Sequence, residues 1–140
     1  MPQRKNAKYI ITELKGAPEQ TPDVAARYSE WAKRVLWLSD KVMPGAYNMM
    51  FSWYLKPPSK PLEAHTHDNP EIIIFLGSNP EDPYDLGGEI EFWMEDERYD
   101  LTKSCFIWVP RGMKHCPMVI KRVDRPIVHL GSSVKPGYTV

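Results

Sequence analysis

The sequence predicts an all-β fold, a sandwich or barrel of short strands with a single helix near the N-terminus. Fourteen of the 140 residues are proline, about twice the usual frequency. Runs rich in β-branched and aromatic residues recur between these prolines and other turn residues. Only one segment has helical spacing, which argues against alternating strands and helices. The length fits a single domain with one core.

The N-terminal part supplies the first strand and the helix. Residues 8–14 form a short β-prone run, which predicts a strand. Thr21 is a good N-cap and Pro22 suits the first helical position, so we predict a helix over 22–34. The run at 35–38 fits either a continuation of that helix or a new strand.

The remaining strands are predicted from apolar runs that turn residues separate. A long strand over 45–56 ends at Pro57 and Pro58, which cannot donate ladder hydrogen bonds. Six further runs are predicted as strands: 71–77, 87–95, 98–101, 105–109, 116–120 and 126–130. Residues 78–88 form a long loop, either a mobile flap or a surface excursion. We expect residues 1–40 to pack as an extension on a barrel of residues 41–140, within one domain.

Charge and hydropathy exclude two classes of partner. The chain has 18 basic and 18 acidic side chains and a pI of about 6.9, so no basic surface is available for nucleic acid. The longest apolar run has five residues, where a membrane span needs about 20. The polar N-terminus has no secretory signal. We therefore expect a cytoplasmic protein with no membrane or nucleic-acid partner.

Three of the four histidines fall into one pattern with a glutamate. His65 and His67 are two residues apart, so in a strand both imidazoles point to the same side, inside the barrel. The turn-forming residues 68–70 follow, and they can bring the carboxylate of Glu71 to the same point. A second tight turn precedes His115. The predicted metal ligands are therefore His65, His67, Glu71 and His115.

Three nitrogen ligands and one oxygen ligand suit a divalent transition metal. Iron, manganese, nickel, copper, cobalt and zinc all accept such a set. A six-coordinate metal would keep two positions open for water or substrate. The sequence does not choose among these metals.

The two segments that carry the ligands resemble the motifs of the cupin family. HTHDNPE at 65–71 matches the ligand-bearing part of the first motif, and PRGMKH at 110–115 matches that of the second. The resemblance covers residues 45–131. The departures lie outside the ligands: Ser59 and Ser104 stand where the family has glycine, Gly77 comes one residue early, and Val119 replaces an asparagine.

The resemblance implies a double-stranded β-helix, a jelly-roll-like barrel, with one metal per chain. It also implies a metal-dependent enzyme that acts on a small oxygenated organic molecule as a dioxygenase, isomerase, lyase or decarboxylase. We favour an oxygenase with iron. The alternative is a non-catalytic barrel that binds a metal or a small ligand. No catalytic residue is assigned beyond the metal ligands.

The predicted strands suggest which side chains surround the metal. If Glu71 faces the interior, so does Phe75, and alternation in the strand at 89–95 turns Phe92 and Met94 inward. Arg111 is a candidate for binding a substrate carboxylate. The candidate substrate-binding residues are thus Arg111, Phe75, Phe92 and Met94.

Two assignments stay open in the sequence. In the strand at 46–56, either the odd-numbered or the even-numbered side chains line the cavity. His129 has three possible roles: a hydrogen-bond partner behind the metal ligands, a general base, or a structural residue.

Charge is unevenly distributed along the chain. Residues 81–100 contain nine acidic side chains and one basic one, while residues 103–135 contain seven basic side chains and one acidic one. Cross-strand pairing within the chain explains this pattern. A complementary surface between two protomers also explains it, and the family resemblance favours a homodimer.

Overall fold

The computed structural model describes residues 4–15, 22–61, 64, 66 and 68–134. One helix and eight strands follow each other in the chain: α1 Pro22–Trp31, β1 Ala32–Leu38, β2 Asn48–Tyr54, β3 Glu71–Leu76, β4 Asp85–Met94, β5 Glu97–Lys103, β6 Cys105–Val109, β7 His115–Val123 and β8 Ile127–Ser133. Within these described ranges, no helix is long and apolar enough to cross a membrane.

The strands form two antiparallel sheets that pack face to face. The larger sheet has the order β1-β2-β8-β3-β6, and the smaller one has the order β5-β4-β7. Their inner faces meet at Phe75 of β3 and Phe92 of β4, whose ring centroids lie 6.4 Å apart. The all-β prediction is confirmed, and the architecture is the two-sheet barrel that the motifs implied.

The predicted N-terminal strand at 8–14 is wrong. The structure has a single 3-10 turn at Ala7–Tyr9, and residues 10–15 have no regular structure. None of the described strands pairs with this segment, and residues 4–10 are all exposed. Intrinsic β preference without a partner strand does not form a ladder.

The helix ends earlier than the predicted limit of residue 34. Its last residue is Trp31, and β1 begins at the next position. The carbonyl oxygen of Trp31 accepts hydrogen bonds from the backbone N–H groups of Leu55 (2.9 Å) and Lys56 (3.4 Å), so the helix end is joined to the sheet. The run at 35–38 is therefore strand. The N-cap Thr21 lies outside the described residues.

The other predicted strands are present with small shifts in their limits. β6 coincides with the predicted run, and β2 ends at Tyr54, ahead of the two prolines. β4 begins at Asp85, so the loop before it is shorter than predicted. The division at residue 40 stays a prediction, and β1, which precedes it, pairs with β2 in the larger sheet.

The loop before β4 is fixed by one serine. The hydroxyl of Ser104 accepts a hydrogen bond from the N–H of Gly77 (2.9 Å) and donates one to the carbonyl of Pro83 (2.7 Å). Its backbone N–H also donates to the carbonyl of Tyr84 (2.9 Å). Gly77 and Ser104, two positions where the sequence departs from the family motifs, thus act together in this structure.

Candidate metal centre

Glu71 and His115 meet across the two sheets at one end of the barrel. Glu71 is the first residue of β3 in the larger sheet, and His115 is the first residue of β7 in the smaller one. Oε1 of Glu71 lies 2.8 Å from Nε2 of His115. The imidazole is completely buried and the carboxylate is nearly so, with 12% of its side chain exposed. The two segments that are distant in sequence therefore share one site.

The surroundings of His115 orient its ring. Nδ1 lies 3.3 Å from the carbonyl oxygen of Met113, and a hydrogen on Nδ1 would donate to that carbonyl. In this tautomer, Nε2 presents its lone pair on the side of Glu71. The ring also stacks on Phe92 at 6.3 Å. A backbone carbonyl that fixes the tautomer of a histidine is a common arrangement behind metal ligands.

The distance between the two side chains fits a shared cation. Two ligand atoms that bind a metal at about 2.1 Å and at right angles to each other are separated by about 3 Å. The observed 2.8 Å between Oε1 of Glu71 and Nε2 of His115 is close to this value. A proton on Nε2 or a cation bound by both atoms satisfies the contact, and the donor types suit a transition metal.

The other two predicted ligands, His65 and His67, lie outside the described residues. Among the residues that are described, no group of three His, Cys, Asp or Glu side chains comes together. The structure therefore brings together two of the four predicted ligands, and the complete set stays a prediction.

The register of the larger sheet decides which face of β2 lines the interior. Asn48, Ser52 and Tyr54 are buried, at 2%, 0% and 3% exposure, while Met49 is 43% exposed. The even-numbered side chains thus point inward. Asn48 pairs with Ser133 of β8, which in turn pairs with Glu71, so Asn48 lies in the same row as the candidate ligand.

The predicted substrate-binding residues lie in different environments. Phe75 and Phe92 are fully buried and belong to the hydrophobic core. Met94 is half-buried and pairs with His115 across β4 and β7. Arg111 is exposed in the turn before β7. Their roles toward a substrate stay predictions, although the inward parity of the three apolar side chains is as expected.

His129 lies on the inner face of β8 between two aromatic rings. Its ring stacks on Tyr54 at 4.9 Å and on Phe75 at 5.3 Å. Nδ1 lies 3.2 Å from the carbonyl oxygen of Ile74. Burial lowers the pKa of His129 to about 4, although that hydrogen bond opposes the shift. The imidazole is therefore neutral near pH 7, which fits a structural role.

The structure adds one polar residue that sequence reasoning missed, Arg34, and decides a second, Asn48, that it left open. Arg34 of β1 pairs with Ser52, and it therefore faces inward, like Ser52. Asn48 was one of two alternatives for the lining of β2. The sequence signal was weak for both residues, because the side of a strand that faces the interior cannot be assigned before the register of that strand is known.

No family model matches the chain, and no curated protein matches it. Several solved structures match it. An oxalate oxidase in complex with glycolate is 16% identical over 93% of this chain and 62% of its own length, with a TM-score of 0.53. Peruvianin-I, described as a cysteine peptidase from Thevetia peruviana latex, is 14% identical over 96% of this chain and 77% of that one, with a TM-score of 0.56.

An RmlC-like cupin from Shewanella frigidimarina is 16% identical over 90% of this chain and 85% of that one, with a TM-score of 0.49. At such identities the likeness is one of fold. The chain spans less than two thirds of the length of the oxalate oxidase.

Proposed function

Starting from the cupin fold that this chain has, we propose that it is a metal-dependent enzyme acting on a small oxygenated organic molecule. His65, His67, Glu71 and His115 are the proposed ligands of one divalent transition metal, with iron favoured over manganese, nickel, zinc, copper and cobalt. The observation that carries the proposal is the 2.8 Å contact between Glu71 and His115 across the two sheets.

The chain's own residues have defined tasks in this proposal. Glu71 contributes a negative charge that the nitrogens of the histidines do not provide. The carbonyl of Met113 holds the ring of His115, so that Nε2 is directed at the site. Phe92 and Met94 keep water away from this side of the site. When bound, such a metal supplies Lewis acidity and, in the case of iron, redox chemistry with dioxygen.

The reaction class follows from the donor set and the open positions that it leaves. An iron centre favours dioxygenase chemistry on an enediol, diketone or catechol-like molecule. Manganese or nickel would favour isomerase, lyase or decarboxylase chemistry. The alternative function is a barrel that binds a metal or small ligand without turnover, and loss of turnover in His67→Ala would distinguish the enzyme from this binder.

Cysteine-dependent catalysis has little support in this chain. Burial raises the pKa of both thiols, and burial together with the carboxylate of Glu71 raises that of Cys116 to about 12. A nucleophilic cysteine needs a thiolate near neutral pH. The peptidase activity in the description of peruvianin-I is therefore not proposed here.

The first test is the metal content of untagged protein, prepared anaerobically and in air and measured by inductively coupled plasma mass spectrometry. We expect about one equivalent in the wild type and less than about a tenth of that in His115→Ala and Glu71→Gln, because each variant removes a ligand. His65→Ala and His67→Ala should behave in the same way.

His129→Gln is the matched control, because it removes the only histidine outside the proposed ligand set. Its metal content should equal that of the wild type. Equal metal in the wild type and in His115→Ala would contradict the proposal. Iron that is present anaerobically and lost in air directs the substrate screen to oxygen consumption, whereas a metal that persists directs it to isomerase and lyase substrates.

A further inference from the structure

Two buried donors on the inner face of the larger sheet have no acceptor among the residues that the structure describes. They are Nδ2 of Asn48 and Nε of Arg34, and neither has a hydrogen-bond partner in the described part of the chain. Their neighbour Ser52 is equally buried, but it accepts a hydrogen bond of 2.7 Å from the hydroxyl of Tyr28. Buried polar groups are paired almost everywhere in folded proteins. Two orphan donors on one face point to an acceptor that arrives from outside.

The surroundings of Arg34 specify the charge of that acceptor. Its guanidinium carbon lies 4.5 Å from the ring centroid of Tyr28 and 5.5 Å from that of Trp37. Among the described residues, no carboxylate pairs with it. Its positive charge contributes to the lowered pKa of His129, so it acts toward the interior. A cation that is held by rings and has no counter-ion in the described part of the chain is suited to an anionic ligand.

The inner face between Arg34 and the Glu71 end of the barrel is only partly covered. Inward-facing residues there remain half-buried, including Met50, Ile73 and Gly131. A Cβ on Gly131 would lie 3.4 Å from Cγ of Met50 and 4.0 Å from Nε2 of His129. Glycine therefore keeps side-chain atoms off this part of the wall, between the candidate metal centre and the ring of His129.

The other end of the interior is closed. Trp31, Tyr54, Phe75 and Ile127 are at most 6% exposed and form one core cluster with the smaller sheet. The register places Arg34 in the row of His129, four residues along the strands from the row of Glu71. At about 3.3 Å per residue, these rows are about 13 Å apart.

We propose that the interior binds a small organic acid in an extended form, with its carboxylate on Arg34 and its opposite, oxygen-bearing end near Glu71 and His115, where Asn48 donates a hydrogen bond to it. The planar guanidinium presents paired donors that match a carboxylate. Because the rows are about 13 Å apart, a short monocarboxylate such as hexanoate occupies the Arg34 end alone, and a ligand that reaches both ends is longer. The contact at the Glu71 end rests on the proposed function, whereas the contact with Arg34 needs no metal.

The test uses the full chain without metal, and isothermal titration calorimetry with hexanoate, hexanamide and acetate as probes. We expect hexanoate to bind at least about tenfold more tightly than either of the others, because only hexanoate combines the charge that Arg34 attracts with an apolar chain that the interior buries. Arg34→Met should weaken hexanoate at least about tenfold. Arg98→Met, which removes an exposed arginine on β5, is the charge-matched control and should bind like the wild type.

A second readout separates binding from structure. Arg34→Met keeps the apolar stem on Tyr28 and removes a half-buried charge that has no counter-ion among the described residues, so its melting temperature should equal or exceed that of the wild type. A purely structural arginine would lower it. Arg34→Lys keeps the charge without the paired donors, and it should bind hexanoate with intermediate affinity. If Arg34→Met does not fold, Arg34→Lys alone tests the inference.

Three results would overturn the inference. They are unchanged hexanoate affinity in Arg34→Met or Arg34→Lys, a loss that occurs in Arg111→Met instead, and equal binding of hexanoate and hexanamide. Metal analysis distinguishes failure of this acid-binding inference from failure of the proposed metal-dependent function. Arg34-dependent binding in a chain that holds no metal would leave the acid site in place, and metal without Arg34-dependent binding would leave only the metal centre.

Discussion

The imidazole of His129 is a neutral base enclosed by Tyr54 and Phe75. Because burial lowers its folded-state pKa to about 4 from an ordinary value of 6.5, the unfolded chain binds the proton more readily. The stabilising contribution of this group is fully present above pH 6.5 and is lost as the pH falls toward the folded-state pKa.

We expect this histidine to make the protein acid-sensitive. Between about pH 7 and pH 4.5, His129 should reduce the free energy of unfolding of the wild type by about 2 to 3 kcal/mol. His129→Gln removes the titrating group. The free energy of unfolding of this variant should therefore fall by about 2 to 3 kcal/mol less than that of the wild type over the same pH range. Urea unfolding of both proteins at the two pH values measures the difference. Parallel losses in the two proteins would show that other groups cause the acid sensitivity.

At the residue scale, sequence spacing was sufficient to predict that Glu71 and His115 come together, because short motifs fix which side chains can converge. Arg34 was missed and the direction of Asn48 was left open, since the inward direction of both depends on pairing between β1, β2 and β8. That pairing joins residues that are far apart in sequence, and a one-residue change of register would have turned both outward.

At the element scale, the loop before β4 depends on contacts at Gly77 and Ser104. A Cβ on Gly77 would overlap the carbonyl oxygen of Asp85, so only glycine fits. Ser104 joins the two ends of the loop through its hydroxyl. The residues that depart from the family motifs at these two positions therefore stabilise the long loop between β3 and β4.

Ser104→Ala should release this loop. Loss of two hydroxyl hydrogen bonds should lower the free energy of unfolding by about 1 to 2 kcal/mol. Amide hydrogen exchange should increase at residues 78–84 and stay unchanged in β4. Ser78→Ala, at an exposed position in the same loop, is the control. Equal exchange in both variants would mean that Ser104 does not fix the loop.

Strands of the larger sheet were predicted well, and the segment at 8–14 was not. β3 and β6 were predicted to within one residue, because their apolar runs end at turn residues. The segment at 8–14 has comparable β preference, but none of the described strands pairs with it. Local composition reports preference, whereas a strand requires a neighbour that composition does not identify.

At the scale of the whole molecule, several of the unevenly distributed charges form ion pairs within the chain. Glu91 lies 3.1 Å from Arg98 and 3.3 Å from Lys121, and Asp85 lies 3.2 Å from Arg125. A hydrogen bond from Trp93, aided by the two basic neighbours, lowers the pKa of Glu91. Cross-strand pairing thus accounts for these charges without a second protomer.

The outer face of the larger sheet is a better candidate for the expected homodimer. Met49, Phe106 and Trp108 are 43%, 69% and 59% exposed there. Five strands of about six residues cover about 24 Å by 20 Å, or about 480 Å² in the plane of the sheet, which is more than half of the roughly 800 Å² per partner of a standard interface. A net charge of zero does not oppose self-association. We propose that a second copy covers this face.

Sedimentation velocity tests this homodimer. The wild type should sediment as a particle of twice the 16.2 kDa chain mass. The double variant Phe106→Lys/Trp108→Lys should sediment as a monomer, because each lysine would bury a charge in an apolar contact. Tyr84→Lys changes a side chain that is 75% exposed outside this face and should remain dimeric. A monomeric wild type at micromolar concentration would contradict the assignment.

The joint between α1 and the larger sheet closes the interior behind Arg34. Because the carbonyl of Trp31 is bonded to the chain just after β2, that floor cannot swing aside without breaking the sheet. The ligand that we propose would then enter past Glu71 and His115, with its carboxylate first. If the chain is the enzyme that we propose, any second reactant would bind after the acid. Steady-state kinetics would then show a compulsory order of addition, with the organic acid first.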